Sequence, residues 1–177
     1  MQFCRGAAVV ALGLAAVLLG GCLPEGLRWA GPGETGGEMD EGEGTGQVPF
    51  NALDHGVRSG IRDARRLVIR DVETWQALWG EHTAGRDPRP PLPPVDFARE
   101  MVLAFFLGEK PTSGYTATIT EVLQLQDKLR VKVAVETPPP GSFLLQVLTQ
   151  PFHIVRLPRY DLPVEFAVEE GQPPKAR

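Results

Sequence analysis

The chain has 177 residues, hydrophobic residues at 42% of its positions and a formal net charge of −4. That length allows one domain of ordinary size besides terminal segments. The 18 basic residues are fewer than the 22 acidic ones and form no basic face, which excludes a nucleic-acid-binding role.

An apolar segment near the N-terminus predicts the compartment. Arg5 precedes an apolar run at residues 6–19, which has the length of a secretory signal and is too short to span a bilayer. The run ends in Leu-Gly-Gly-Cys22, which resembles the lipobox of bacterial lipoprotein precursors. The resemblance implies a signal peptide at residues 1–21 and a lipidated Cys22. Because no Asp follows the cysteine, it also implies the outer membrane of the cell envelope. The alternative is an ordinary secretory signal with a chance cysteine.

The cysteine count limits the chemistry of the mature chain. Cys4 would leave with the signal peptide and Cys22 would carry lipid, so neither a free thiol nor a disulfide would remain. This excludes a cysteine protease, a thiol redox protein and a thiolate metal site.

Residues 22–57 are predicted to be the lipidated cysteine and a flexible tether. The segment is rich in Gly and Glu, shows no hydrophobic period and has few apolar residues, so it cannot bury enough surface to fold. Its acidic residues give it a negative charge, whereas the charges from Arg58 onward nearly balance. We expect the tether to let the following domain reach beyond the lipid headgroups.

Residues 58–170 are predicted to form one β-rich domain, and residues 171–177 a C-terminal tail. Ala64 to Arg70 has the composition of a strand, and Asp71 can cap a following helix. The apolar face of that helix is expected to contain Val72, Trp75, Leu78, Trp79 and His82. A Pro-rich loop, residues 86–94, follows.

Several short strands are predicted after this loop. Met101 to Leu107 is uninterrupted and apolar, which is typical of a strand buried on both faces. Residues 129–136 alternate between apolar and polar, which predicts one buried and one wet face. The other strand candidates are Tyr115–Gln126, Phe143–Thr149, Phe152–Leu157 and Pro163–Val168. Such strands, with Pro and Gly between them, predict a mainly β (α+β) fold: an antiparallel β-sandwich or rolled sheet with one packed amphipathic helix.

The loop from Lys110 to Tyr115 is the first candidate binding site. It is predicted to be stiff and to lose little entropy on binding, because Pro111 fixes its own φ and Gly114 permits a positive φ. The hydroxyls of Thr112 and Ser113 can satisfy turn amides.

Two alternatives bear on this loop. Tyr115 is a good interface residue, but it also starts a strand and could fill the end of the core. The whole loop could be a structural turn only. The second candidate contact is the turn Pro138–Ser142, which contains Pro139 and Gly141.

Catalytic, metal and cofactor sites are not predicted. The serines of the domain are Ser59, Ser113 and Ser142, and its histidines are His82 and His153. None lies in a nucleophile elbow, and two distant histidines without cysteine are poor zinc ligands.

Structural roles are expected for these polar residues instead. We expect His82 to close the helix C-terminus, and His153 to be packed or to lie at an edge. Asp96 is expected to cap a turn after the Pro-rich loop. A Ser-His-Asp site that involves Asp96 is the alternative.

Segments of the domain occur in an order that resembles the C-terminal domain of PrcB-type lipoproteins. They are Trp75–Trp79 with His82, Val95–Phe97, Gly108–Thr116, Pro138–Gly141 and Thr149–Val155. The resemblance extends over residues 58–168. It implies a non-catalytic protease complex subunit on a β-rich fold, which associates with an extracytoplasmic protease and stabilises it.

One loop carries a second resemblance. Pro111 to Tyr115 is similar to a loop motif of the chagasin-like inhibitors of cysteine proteases, with Lys110 where those inhibitors have Asn. Gln150-Pro151-Phe152 is similar to a second motif, with Gln in place of Arg. This resemblance implies the alternative function of a protease inhibitor whose loops enter a cleft. A further alternative, an envelope scaffold or small-ligand-binding lipoprotein, requires an apolar pocket.

Overall fold

The computed structural model describes residues 46–171 of the chain. The predicted signal peptide, Cys22, the predicted tether as far as residue 45 and the predicted tail from residue 172 lie outside the described residues. The elements are β1 (Gly46–Gln47), β2 (Asn51–Gly56), β3 (Ala64–Ile69), α1 (Val72–His82), β4 (Glu100–Leu107), β5 (Thr116–Gln124), β6 (Leu129–Glu136), β7 (Phe152–Pro158) and β8 (Val164–Gly171).

The eight strands of residues 46–171 form two four-stranded sheets. The inner sheet has the order β2-β7-β4-β3 and is antiparallel throughout. The outer sheet has the order β1-β5-β6-β8, in which only the β6–β8 pair is parallel. Two packed sheets with one helix confirm the predicted sandwich-like, mainly β fold.

The inner sheet is buried on both faces, which explains the uninterrupted apolar sequence of β4. On one face Met101, Leu103 and Phe105 pack against apolar side chains of the outer sheet. On the other face Val102, Ala104 and Phe106 belong to the cluster that contains the helix tryptophans. Because successive side chains of a strand point to opposite faces, both clusters are supplied by consecutive residues of one strand.

The helix begins as predicted. The Asp71 carboxylate accepts a hydrogen bond from the Thr74 N–H at 2.7 Å, which satisfies one of the free amides of the first turn. Trp75, Leu78, Trp79 and His82 are buried. Val72, which was predicted on the same apolar face, is the first residue of the helix and is half exposed.

The Pro-rich loop is attached to this helix by both tryptophans. The Trp75 indole N–H donates to the Pro93 carbonyl at 3.1 Å, and the Trp79 indole N–H donates to the Pro90 carbonyl at 3.2 Å. A loop without its own regular structure thereby satisfies two buried indole donors.

Residues 46–56, which the sequence analysis assigns to the tether, belong to the sandwich. The strand β2 pairs with β7, and Val48 is 3% exposed in the core between the sheets. An edge strand is held mainly by backbone hydrogen bonds and needs few apolar side chains, so a composition argument overlooks it.

Two other boundaries differ from the prediction. Phe143–Thr149 is not a strand, since no neighbouring strand pairs with it and only Thr149 forms a bridge, to Lys110. β8 extends to Gly171, where the Gly171 carbonyl accepts from the Thr137 N–H at 3.2 Å. No helix among residues 46–171 is long and apolar enough to cross a membrane.

Candidate functional site: a loop surface with exposed apolar side chains

The predicted binding loop begins where β4 ends. Gly108 adopts a positive φ of 82°, and the Glu109 N–H donates to the Arg62 carbonyl at 2.8 Å. Lys110 then pairs with Thr149, because each backbone N–H donates to the carbonyl of the other, at 2.7 and 3.0 Å. These bonds fix the start of the loop to the chain that precedes β7.

The two predicted contact segments lie side by side. Gly114 has a φ of 93°, and a Cβ placed on it would lie only 2.9 Å from the Pro138 Cβ and 3.2 Å from the Leu144 Cδ2. Glycine is therefore required at this position for both conformation and space. We call residues 110–115 together with residues 138–149 the loop surface.

Hydrogen bonds connect the two halves of the loop surface. The Ser113 N–H donates to the Leu145 carbonyl, and the Leu145 N–H donates to the Ser113 hydroxyl oxygen, both at 3.0 Å. The Thr149 hydroxyl donates to the Thr112 carbonyl at 2.9 Å. The hydroxyls of Thr112 and Ser113 were predicted to bind turn amides. The Ser113 hydroxyl does bind an amide, but that amide belongs to Leu145 in the other half of the loop surface.

The loop surface exposes apolar side chains that the sequence analysis did not identify as functional. Phe143 is fully exposed, and Leu145, Leu148 and Val147 are 71%, 59% and 48% exposed. Large apolar side chains grouped on a soluble surface are typical of interaction sites. The available signal was an apolar run, residues 143–148, that has no charged residue and follows a Pro-rich turn.

Among the remaining predicted site residues, Pro111, Gly114, Pro139 and Gly141 are exposed, and the others are partly buried. Tyr115 is half buried, and the Lys110 Nζ lies 5.7 Å from the centre of its ring, a cation–π contact. The Pro139 carbonyl accepts from the Ser142 N–H at 3.2 Å, and Gly141 adopts a φ of 80° in the same turn. Both halves of the turn are exposed, so they border the apolar side chains without covering them.

The second inhibitor-like motif does not form a projecting loop. Phe152 is 1% exposed and begins β7, and Pro151 is also buried. Gln150 is partly buried, and its side-chain amide donates to Glu109 at 3.0 Å. Of the two segments that resemble inhibitor motifs, only residues 110–115 thus form a loop at the surface.

A Ser-His-Asp network exists, but it lies elsewhere and contains a different aspartate. The Ser59 Oγ lies 2.9 Å from the His82 Nδ1, and the His82 Nε2 lies 2.9 Å from the Asp54 Oδ2. Arg86 also donates to the Asp54 Oδ2, at 2.9 Å. Asp96, the aspartate considered above, instead caps a turn by accepting from the Ala98 N–H at 3.1 Å.

The geometry of this network indicates a structural role. His82 has no exposed surface, and its ring contacts the ring of Phe152 edge-on at a centroid distance of 4.4 Å. The Ser59 Oγ also accepts from the Ile61 N–H at 3.0 Å. Although partial burial raises the pKa of Asp54, hydrogen bonds from His82 and Arg86 outweigh that effect and lower it. The network therefore joins β2, the helix C-terminus and the core.

A cavity of about 580 Å³ lies beside this network. Its lining includes Arg58, Ser59, Arg86, Asp87 and Gln150, so it is largely polar. The apolar pocket that a small-ligand-binding lipoprotein requires is a different kind of site. Within residues 46–171, no three His, Cys, Asp or Glu side chains are grouped so that they could hold a metal ion.

His153 links the two sheets and gives a pH prediction. Its Nδ1 accepts from the Ile119 N–H at 2.8 Å, and its ring lies 4.6 Å from that of His55. Burial, with repulsion from His55, lowers the pKa of His153 from 6.5 to about 4. Between these values the unfolded chain binds more protons than the folded one, so stability is complete above pH 6.5 and falls as the pH falls towards 4.

This loss of stability is measurable by urea unfolding between pH 4 and 7. We expect a contribution of up to about 1.4 kcal/mol per pH unit from His153. The His153→Gln variant keeps an acceptor for the Ile119 amide but does not titrate, so it should lack that contribution. Equal pH slopes for both proteins would contradict the assignment.

One comparison with known proteins finds a match, and it includes the loop surface. Residues 101–158 match the family model described as PrcB C-terminal. The match runs from β4 to β7 and includes both halves of the loop surface, whereas α1 and residues 95–97 lie outside it. The predicted resemblance is confirmed over these residues. No curated protein and no solved structure matches the chain.

Proposed function

We propose, from the PrcB C-terminal match at residues 101–158, that this protein is a non-catalytic accessory lipoprotein of the bacterial cell envelope. It binds an extracytoplasmic protease through the loop surface and stabilises it. The observation that carries this proposal is the exposure of Phe143, Leu145 and Leu148 within the matched segment. The family match supports a protease-associated subunit, and the exposed side chains support binding by this particular surface.

The exposed side chains have the properties of a binding anchor. Phe143 is fully exposed, and removing a large aromatic from water on binding contributes far more than polar contacts at a rim. Leu145 is hydrogen-bonded to Ser113, and Thr149 is paired with Lys110. These bonds hold the backbone on both sides of Leu148. A surface that is already positioned loses less entropy when a partner binds.

Stabilisation of the partner follows from binding alone. A protein that binds only the folded protease adds RT ln(1 + [L]/Kd) to the free energy of unfolding of that protease. Attachment of both proteins to one membrane raises their effective concentration, so a modest affinity is sufficient. No catalytic group is required of the accessory protein.

A protease inhibitor remains the alternative, because residues 110–115 and 138–142 lie side by side at one end of the sandwich. An inhibitor decreases peptide hydrolysis at once on mixing. An accessory subunit leaves initial hydrolysis unchanged and prolongs activity during heating. An assay of the captured protease with and without the accessory protein separates the two functions.

The loop-surface prediction is tested with Phe143→Ser combined with Leu148→Ser. Both side chains are exposed, so the double variant should fold normally. We expect the change to reduce capture of the protease from intact membranes by at least about tenfold, since anchor residues commonly contribute 2 kcal/mol or more. The measurement is crosslinking followed by purification and mass spectrometry.

Val72→Ser is the matched control, because Val72 is 50% exposed but lies on the helix, outside the loop surface. It should capture the protease as the wild type does. Equal capture by the wild type and the loop-surface variant would show that the partner binds elsewhere.

The lipid anchor is a separate prediction at Cys22. Several acyl chains hold a protein stably on a membrane, because each buried CH₂ contributes about 0.8 kcal/mol. We expect Cys22→Ala to abolish labelling by radioactive palmitate and to move the protein out of the membrane fraction. A labelled variant that remained membrane-bound would contradict lipidation at this residue.

A further inference from the structure

The chain that carries the exposed apolar side chains also has unused backbone hydrogen-bonding groups. Among the described residues, the N–H and carbonyl groups of Leu144, Gln146 and Leu148 form no hydrogen bond. Gln146 and Leu148 are exposed, so water can satisfy these groups in the free protein.

The bonded and unbonded groups alternate along the segment. Leu145 and Thr149 direct backbone groups towards the loop Lys110–Tyr115. The Val147 N–H donates back to the Leu145 carbonyl at 2.9 Å, so the chain turns at Gln146. Because the C=O and N–H of one trans peptide unit point in opposite directions, the Gln146 N–H and the Leu144 and Leu148 carbonyls face away from the loop. The segment is thus attached on one side and unpaired on the other.

Residues 143–148 have the composition of a strand, although they are not part of a sheet. Residues 143–148 are Phe-Leu-Leu-Gln-Val-Leu, with no charge, glycine or proline, a composition that favours strand pairing. This composition led to the strand prediction for Phe143–Thr149, and no strand within residues 46–171 lies on the open side to complete the pair.

We infer that the partner protein of the loop surface contributes an extended strand that pairs with residues 144–148. This inference rests on the proposed function and specifies how the partner binds. Backbone hydrogen bonds to Leu144, Gln146 and Leu148 supply part of the affinity, and the neighbouring apolar side chains supply the rest.

A strand fits this segment better than a lipid surface does. Insertion of the apolar side chains into a bilayer would bury the free N–H and carbonyl groups of the segment in hydrocarbon, where they have no partners. A partner strand satisfies those same groups while it covers Phe143 and Leu145. The occupant is therefore an extended segment of a protein that carries apolar side chains.

Gln146 allows the backbone contact to be tested separately from the side chains. Gln146→Pro removes the outward N–H, while the bonds of Leu145 to Ser113 remain possible because proline favours an extended preceding residue. Gln146→Ala removes the side chain but keeps the N–H. The probe is the protease identified by the crosslinking experiment, purified and titrated against the full chain in detergent.

We expect Gln146→Pro to weaken binding at least about tenfold, because a buried carbonyl of the partner loses its donor, whereas Gln146→Ala stays near the wild type. Hydrogen exchange should also show that the protease protects the amides of residues 144–148. Circular dichroism and thermal unfolding must show both variants folded as the wild type.

The outcomes separate this inference from the proposed function. If Gln146→Pro binds as tightly as the wild type, or if both Gln146 variants lose binding equally, strand addition is overturned while the loop surface remains the binding site. If the Phe143→Ser, Leu148→Ser variant also binds normally, or no protease is captured, the proposed function fails as well.

Discussion

A chain that begins at Arg58 is expected not to fold, whereas a chain that begins at Gly44 is expected to unfold at the temperature of the full-length protein. The shorter chain loses β1, β2 and the buried Val48. Without β2, the strand β7 becomes an exposed edge along five paired positions, from Asn51–Arg156 to Gly56–Phe152. The composition of residues 22–57 alone would predict that both chains fold.

Loss of Asp54 adds to this effect. In the full chain it accepts hydrogen bonds from His82, which has no exposed surface, and from Arg86. Asp54 is partly exposed, but its removal leaves the buried His82 without its hydrogen-bond partner, which costs about 1–3 kcal/mol, a sizeable share of the stability of a domain of this size. Even Asp54→Ala alone should therefore lower the unfolding temperature clearly.

Thermal unfolding followed by circular dichroism distinguishes these chains. The prediction is a cooperative transition for the chain from Gly44 and none for the chain from Arg58. If the chain from Arg58 shows the same transition, β2 and its network contribute little.

Gly60→Ala is expected to destabilise the domain by about 2–3 kcal/mol, while Gly80→Ala stabilises it slightly. Gly60 packs against the end of α1, where its N–H donates to the His82 carbonyl at 2.8 Å. A Cβ on Gly60 would overlap the Glu81 carbonyl oxygen and lie 3.0 Å from the Ala84 Cβ. Because both contacts include backbone or a short side chain, neither can move aside cheaply.

Gly80→Ala is the control because it adds the same methyl group in different surroundings. It lies within α1, and a Cβ there would meet nothing within 4 Å. Alanine at a helical glycine typically adds about 0.5–1 kcal/mol. Denaturant unfolding of both variants should give shifts of opposite sign, and an unchanged midpoint for Gly60→Ala would contradict the close packing.

Elements with a regular local pattern could be predicted from the sequence. The uninterrupted apolar run predicts a strand buried on both faces, and β4 is such a strand. The apolar–polar alternation predicts a strand with one buried face, and β6 is such a strand. The Asp71 cap and the buried helical tryptophans were likewise local signals. The fold class followed from these elements.

Features that depend on distant partners could not be predicted. Asp54 lies in a segment with the composition of a tether, and its partner His82 follows 28 residues later. The sequence therefore suggests Asp96 as the aspartate of a Ser-His-Asp group, whereas in the folded chain Asp54 contacts His82. Residues 143–149 show the converse, since their propensity favours a strand that tertiary structure leaves without a neighbour.

The candidate site was predicted only in part. The sequence identified Lys110–Tyr115 and the turn Pro138–Ser142 separately, but only the structure shows that Gly114 and Pro138 are in contact. Whether Phe143 and Leu145 are buried or exposed is a property of the folded chain, because an apolar run is more often core than interface.

The most direct test of the loop surface is photo-crosslinking in intact envelope membranes. A benzophenone amino acid replaces Leu145, or Val72 on the helix as the control, and adducts are identified by mass spectrometry. We expect an adduct with one extracytoplasmic protease from position 145 and none from position 72. The same adducts from both positions, or no adduct from position 145, would contradict it.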